Sequence, residues 1–211
     1  MEKIVLVGAG GHCKSVLDSL IELKLYDIVG ITDVKKDFDI IGVKVIGSDD
    51  ILESLFLSGV KNAFISLGSI GDTSVRRKIY ENLKSIGFKF PSIIDKTAIV
   101  SKNSTIEEGV FIGKGAIVNS NATIGMNSIV NSGAIVEHDC KIGDFVHVAP
   151  GVTMSGSVAI GSDTHIGTGA SIIQGITIGR NSIIGAGSVI IKNIGDYCKV
   201  YGNPGRKIDC E

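Results

Sequence analysis

The chain has 211 residues, with 21 Lys plus Arg against 22 Asp plus Glu. It is long enough to bury a core and too nearly neutral to carry the charge footprint of a nucleic-acid or anionic-membrane binder. Cys13, Cys140, Cys198 and Cys210 lack paired spacing, and the start "MEKIVLVGAGG" lacks signal-peptide character; together they predict reduced thiols, no zinc site and a cytoplasmic protein without membrane spans.

The stretch "KIVLVGAGGHCKSVLDSLIEL" reads as an apolar strand, a glycine turn and a helix with Val16, Leu17, Leu20 and Ile21 on one face. Gly8 and Gly10 supply the first two glycines of a GxGxxG pattern, with Gly11 and His12 following and Cys13 at the third glycine position. Such a loop brings an anion to a helix N-terminus, and a tight strand-to-helix turn is the alternative reading. Asp33, ending the second apolar run "DIVGITD", is placed to accept ribose hydroxyls. "NAFISLGS" supplies a third strand, and the segments between these runs and after Ser69 have helical periodicity. Residues 1–90 therefore read as a small Rossmann-like α/β domain. It is half the size of a full doubly wound sheet and fits a single nucleotide better than a dinucleotide.

Residues 91–211 follow a different rule. From Ile94 through Val100, Ile106 and Ile112 to Ile184 and Ile190, an aliphatic residue or Met154 recurs at every sixth position without a slip. Four residues after most of these comes a small one, such as Ala116, Ala122, Ser128, Ala134 or Cys140, and glycine often follows the aliphatic directly. Period six with β-branched residues excludes an α-helix, whose apolar face returns at three and four. It matches the hexapeptide β-helix, one short strand and one turn per hexad. The code resembles the left-handed parallel β-helix of the hexapeptide acyltransferases, in which three hexads close a coil. Cys140 then reads as a core filler.

Taken together, "GAGGH", "ITD", "SLGS" with "SVRRKIYENL", and the hexads carrying "EHDCKIGDFVHVAPG" resemble the PglD/NeuD family of sugar O- or N-acetyltransferases along the whole chain. The resemblance implies an α/β domain holding a nucleotide-linked amino sugar of the UDP-4-amino-sugar type, through Gly8, Gly10, Gly11, His12, Asp33 and Gly68. It implies acetyl-CoA on the β-helix, with His147, Gly156, Thr168, Ala186 and Arg206 as contacts. It makes His138 the general base and Asp139 the residue that raises its basicity. Many relatives carry two acidic residues after the second strand, where this chain has Asp33 and then Val34. The tail "VYGNPGRKI" resembles the ending of hexapeptide acetyltransferases, with Gly205 in place of alanine. O-acetylation of a sialic-acid-type sugar would use the same parts, and a non-catalytic β-helix that binds nucleotide sugars is the reading from a different class.

Chemistry independent of the resemblance supports the base. Acetyl transfer to an amine needs a proton removed during attack on a thioester, and imidazole titrates near working pH. A neighbouring carboxylate favours the imidazolium that results. His147 lies half a coil from His138, on the far side of the prism, so one acetyl group can meet both only across a subunit boundary; a closed homotrimer with intersubunit sites is expected. His165, one full coil after His147, reads as a surface residue. Positions 138, 147 and 165 do not reproduce the three-histidine zinc spacing of β-helical carbonic anhydrases, so no metal is expected.

Overall fold

The computed structural model describes residues 1–35 and 38–210. The first half alternates β1 (Glu2–Val7), α1 (Gly11–Leu23), β2 (Tyr26–Thr32), β3 (Asp39–Ile40), β4 (Val43–Gly47), α2 (Leu52–Leu57), β5 (Asn62–Ile65) and α3 (Ser74–Ile86). One sheet in the order β3-β4-β2-β1-β5 results. β4, β2, β1 and β5 run parallel, and β3 is antiparallel to β4. The apolar runs of β1 and β5 are buried, as strands covered on both faces must be.

Three local expectations change. Where helical periodicity was expected between the second and third strands, β3 and β4 form a hairpin before α2 begins. On α1 the buried residues are Cys13, Val16, Leu17, Ser19 and Leu20, while Ile21 is exposed. The helix is rotated because Ser19 faces the second half, donating its hydroxyl to Asp95 Oδ2 at 2.5 Å. At the other end of the chain, Cys198 and Cys210 are joined by a disulfide and only Cys13 and Cys140 are free. The bridge follows from an antiparallel pair, β23 (Cys198–Tyr201) with β24 (Arg206–Cys210), which sets the two cysteines opposite each other.

The second half is the left-handed parallel β-helix. A two-residue strand recurs every six residues from β6 (Ile93–Ile94) to β22 (Val189–Ile190), and its second residue is the aliphatic of the period. Each strand pairs in parallel with the one 18 residues on, so Val118 meets Val136, which meets Met154. The inward aliphatics and the small corner residues, Cys140 among them, form one buried stack, with Ile94, Ala98, Val100 and Ile106 of the first coil partly covered. Cutting one such aliphatic to alanine costs about 2–5 kcal/mol.

The corners explain the remaining residues of the code. From Gly109 to Gly187 one position in each corner adopts left-handed φ, and it recurs every six residues through Gly115, Asn121, Asn127, Gly133 and Asp139. Glycine, Asn and Asp tolerate that conformation best. Phe145 occupies the same position at φ 56°, a strained place for an aromatic. It is held there by burial beneath α3, with the Arg77 guanidinium 4.2 Å from its ring centre and Tyr80 packed edge-on. The glycines that directly follow the aliphatics have another reason. A Cβ at Gly161 would stand 2.4 Å from the Arg180 nitrogen, so successive coils stack only because none is there.

The two halves share their cores. Ile93, Phe111 and Ile129, pointing outward from one face of the prism, pack with Leu17, Leu20 and Phe64 of the α/β layer. On α3, Arg77 makes a two-pronged ion pair with Asp163 at 2.7 and 2.8 Å, and Thr73 also donates to Asp163. Tyr80 donates to Glu108 at 2.5 Å. The second face points Ile99, Ile117, Ile135 and Val189 outward with no layer over them; the third presents mostly Thr and Lys141.

Candidate active site

His138 and Asp139 occupy the corner after β13 (Ile135–Val136), where the second face of the prism turns into the third. Left-handed φ at Asp139 folds its carboxylate back along the chain. Asp139 Oδ2 accepts from His138 Nδ1 at 2.7 Å, and Oδ1 accepts from Asn121 Nδ2 at 2.7 Å one coil below. The Nδ1 proton is thereby fixed, which leaves the Nε2 lone pair free. The bond to Asp139 raises the imidazole's pKa, and the Asn121 amide and then His138 lower that of the carboxylate. Both side chains are about half exposed, at 54% and 47%. This is an accessible imidazole oriented by a carboxylate, an arrangement that can take up a proton at Nε2.

Gly156 lies one coil above, against the ring. A Cβ there would sit 2.5 Å from His138 Cε1 and 2.6 Å from Nε2. The position expected at the acetyl-CoA groove therefore first makes room for the imidazole. Thr168 and Ala186 lie on a different edge, at the corners between the first and second faces, and are exposed, as is Arg206 on β24. Within one chain the uncovered second face separates these residues from His138.

His147, on β15 (His147–Val148), points from the first face into the seam below the α/β layer. Its Nδ1 donates to the Ser69 carbonyl at 2.9 Å and its Nε2 faces the Asn131 amide at 3.2 Å. Burial pushes its pKa down to about 4, against the Ser69 bond, with His165 and Arg76 adding to the fall. His147 is therefore neutral. His165, on β18 (His165–Ile166), was expected at the surface and is 8% exposed. It stacks edge-on against His147 at 5.0 Å between ring centres, on the face that the α/β layer covers.

His12, at the start of α1, completes this buried row. Its ring packs edge-on to Phe111 at 5.1 Å and lies 6.4 Å from His147. Burial, then His147 and Arg76, lower its pKa to about 3. Sequence reading missed Arg76, although "SVRRKIYENL" contains it. Its guanidinium is 3% exposed, donates to the Asn127 carbonyl, and has its pKa lowered by burial to about 10. A pair of arginines on a helix with one turned inward was the available signal.

The glycine loop fits an anion. Gly8 has φ 101°, and a Cβ there would stand 2.3 Å from Leu67. Gly10 and Gly11 instead face open space at the N-terminus of a 13-residue helix, where a Cβ would meet nothing within 4 Å. Gly68 sits across from His12, 3.6 Å from its Cβ to where a Cβ would be. Asp33 accepts the Ala9 N–H at 2.7 Å and the Lys35 N–H at 2.9 Å, so it braces the loop. Beside it, β1, β2 and α3 enclose a cleft of about 620 Å³. No group of three or more His, Cys, Asp or Glu among the described residues is arranged to hold a metal. No helix among them is long and apolar enough to cross a membrane.

A hexapeptide β-helix with an exposed imidazole–carboxylate pair at one corner, joined to an α/β layer with a phosphate-type loop, defines a hexapeptide-repeat transferase. Residues 3–83 match the PglD N-terminal domain family, and residues 103–138, 121–156 and 157–192 match the bacterial transferase hexapeptide family. The structure of PerB from Caulobacter crescentus in complex with CoA and GDP-perosamine is similar, at 32% identity and TM-score 0.93 over 99% of this chain and 98% of that one. The acetyltransferase domain of PglB from Neisseria gonorrhoeae is 34% identical at TM-score 0.93, over 99% and 100% of the two chains. WeeI from Acinetobacter baumannii is 25% identical at TM-score 0.87, over 99% and 100%. No curated protein matches the sequence. The chain belongs to the PglD/NeuD-type sugar acetyltransferases.

Proposed function

We propose that the protein N-acetylates a primary amine on a nucleotide-linked sugar, using acetyl-CoA, with His138 as general base. The observation that carries this reading is the His138–Asp139 pair, with Nδ1 committed to the carboxylate and Nε2 left free. The amine attacks the thioester carbonyl, forming the C–N bond and releasing the CoA sulfur. His138 Nε2 takes the amine proton, Asp139 steadies the imidazolium, and the proton then passes to the departing thiolate. The loop at Gly10 and Gly11 would hold the sugar nucleotide's phosphates and Arg206 those of CoA. The PerB complex, which contains CoA and GDP-perosamine, supports this substrate class.

The assembly belongs to the same reading. The second face is uncovered and aliphatic at Ile99, Ile117 and Ile135, and it is flanked by the His138 edge and by the edge that carries Thr168 and Ala186. A second copy laid against this face would bring the two edges together, and a closed trimer repeats that contact three times.

The test is thiol release from acetyl-CoA with nucleotide-linked amino and hydroxy sugars. His138→Ala should cut turnover by about 10²–10⁴-fold. His138→Ala chains refolded with chains blocked on the opposite edge by Ala186→Trp should recover activity at about a quarter of the interfaces of a random trimer. No thiol release with any sugar nucleotide would leave a binding protein instead of an enzyme.

A further inference from the structure

The cleft beside Asp33 has apolar walls, from Val7, Leu67, Val75 and Ile79, and polar groups at intervals along them. It lies at the carboxyl ends of β1, β2 and β5, beside the place between β1 and β5 where the strand connections turn in opposite directions, the point at which open α/β sheets bind ligands. With phosphates at the glycine loop, the part of a nucleotide that fits a flat apolar slot is its base. The polar groups around it are not equivalent. Both Asp33 oxygens already receive backbone N–H groups from the loop. Asp49 is held on one side only: Oδ1 accepts the hydroxyl of the fully buried Thr32 at 2.8 Å, and Oδ2 has no partner among the described residues. Asn82, on α3, also lines the cleft, and its side-chain amide has no hydrogen-bond partner among the described residues.

The geometry points to Asp49, assisted by Asn82, as the reader of a guanine base, which makes a guanosine-diphosphate sugar the substrate class. This deepens, and rests on, the nucleotide-sugar reading above. A carboxylate fixed at one oxygen favours two N–H donors side by side, as it does with a guanidinium. Guanine offers such a pair in N1–H and the exocyclic amine, with O6 beside them for the Asn82 amide. Uracil sets one N–H between two carbonyl oxygens, which a carboxylate repels. Adenine and cytosine each offer one amine beside an unprotonated ring nitrogen.

Calorimetry of the full chain with GDP, UDP, CDP and ADP tests the assignment, with Asp49→Asn as the variant. Asn keeps an oxygen for Thr32 and replaces the free carboxylate oxygen with an amide donor. The wild type should bind GDP at least about tenfold more tightly than UDP. Asp49→Asn should weaken GDP by roughly 5- to 150-fold and leave UDP within about twofold. It should also bind xanthosine diphosphate, whose base has a carbonyl in place of that amine, more tightly than GDP. That gain is one a merely damaged cleft would not show. UDP bound as tightly as GDP by the wild type overturns the base assignment alone. So does an equal loss of GDP and UDP in Asp49→Asn, which would put Asp49 on the ribose or in the fold. Binding of no nucleotide at all overturns the nucleotide-sugar reading as well.

Discussion

Gly156→Ala is a small change with a calculable effect on the base. The new Cβ would stand 2.5 Å from His138 Cε1, and an ordinary carbon contact is about 3.5 Å. The ring must therefore retreat by about 1 Å, because the coil beneath Gly156 is fixed by its ladder and the half-exposed imidazole is free to move. Displacement on that scale costs on the order of 10²-fold in turnover. It also stretches the 2.7 Å bond to Asp139, so the raised pKa of His138 should relax toward the ordinary imidazole value. Gly156 is not in the left-handed region, so alanine brings no backbone strain and Tm should hold. The assay is steady-state thiol release with both substrates varied, alongside an NMR titration of the His138 ring. A normal kcat with a raised KM for acetyl-CoA would refute this reasoning and make Gly156 a lining residue of the CoA groove only.

Because Asp139 raises the His138 pKa, the base form is lost as pH falls through a midpoint above the usual imidazole value; Asp139→Asn should move that midpoint of kcat/KM downward, and an unmoved profile would detach Asp139 from the base. His12 and His147 have folded pKa values of about 3 and about 4 against an ordinary 6.5, so an unfolded chain gains protons before the folded one does. Their stabilisation is present above pH 6.5 and is lost as pH falls below it, down to about 4 for His147 and about 3 for His12. Tm should accordingly drop between pH 6.5 and 5, above the range where Asp95, with its pKa lowered to about 2, begins to contribute. His147→Gln should flatten the drop, and a wild-type Tm unchanged over that interval would contradict the buried neutral row. Thiol titration of the denatured, unreduced protein should count Cys13 and Cys140 alone; four reactive thiols would remove the bridge between Cys198 and Cys210.

The β-helix was legible from Ile94 to Ile190 because one physical demand, an inward aliphatic on every strand, acts at a fixed interval. The His138–Asp139 contact was legible because an imidazole and a carboxylate adjacent in sequence meet locally, at a corner whose conformation Asp tolerates. What depended on the docking of one half upon the other was not legible. The period stacked His165 on His147 correctly but carried no sign that the α/β layer covers that face, and Ser19 pointed inward for the same reason. The β3–β4 hairpin escaped because its turn places Ile41 and Gly42 at positive φ, where a sequence signal would have Asn and Gly. Cys198 and Cys210 are brought opposite each other by a turn at "GNPG", which was read as the start of a tail.

The unbroken register of the prism turns position into something counted. Removing 18 residues lowers everything beyond by one strand spacing, about 4.8 Å, and leaves every side chain on its own face. Removing six instead swings everything beyond by one face. Six residues lost ahead of His138 would carry the imidazole to the edge where Thr168 now stands, with its hydrogen bond to Asp139 intact and its neighbours exchanged. The chain behaves as a dial with three settings and a ruler graduated in coils, so length changes that preserve the chemistry come in whole turns.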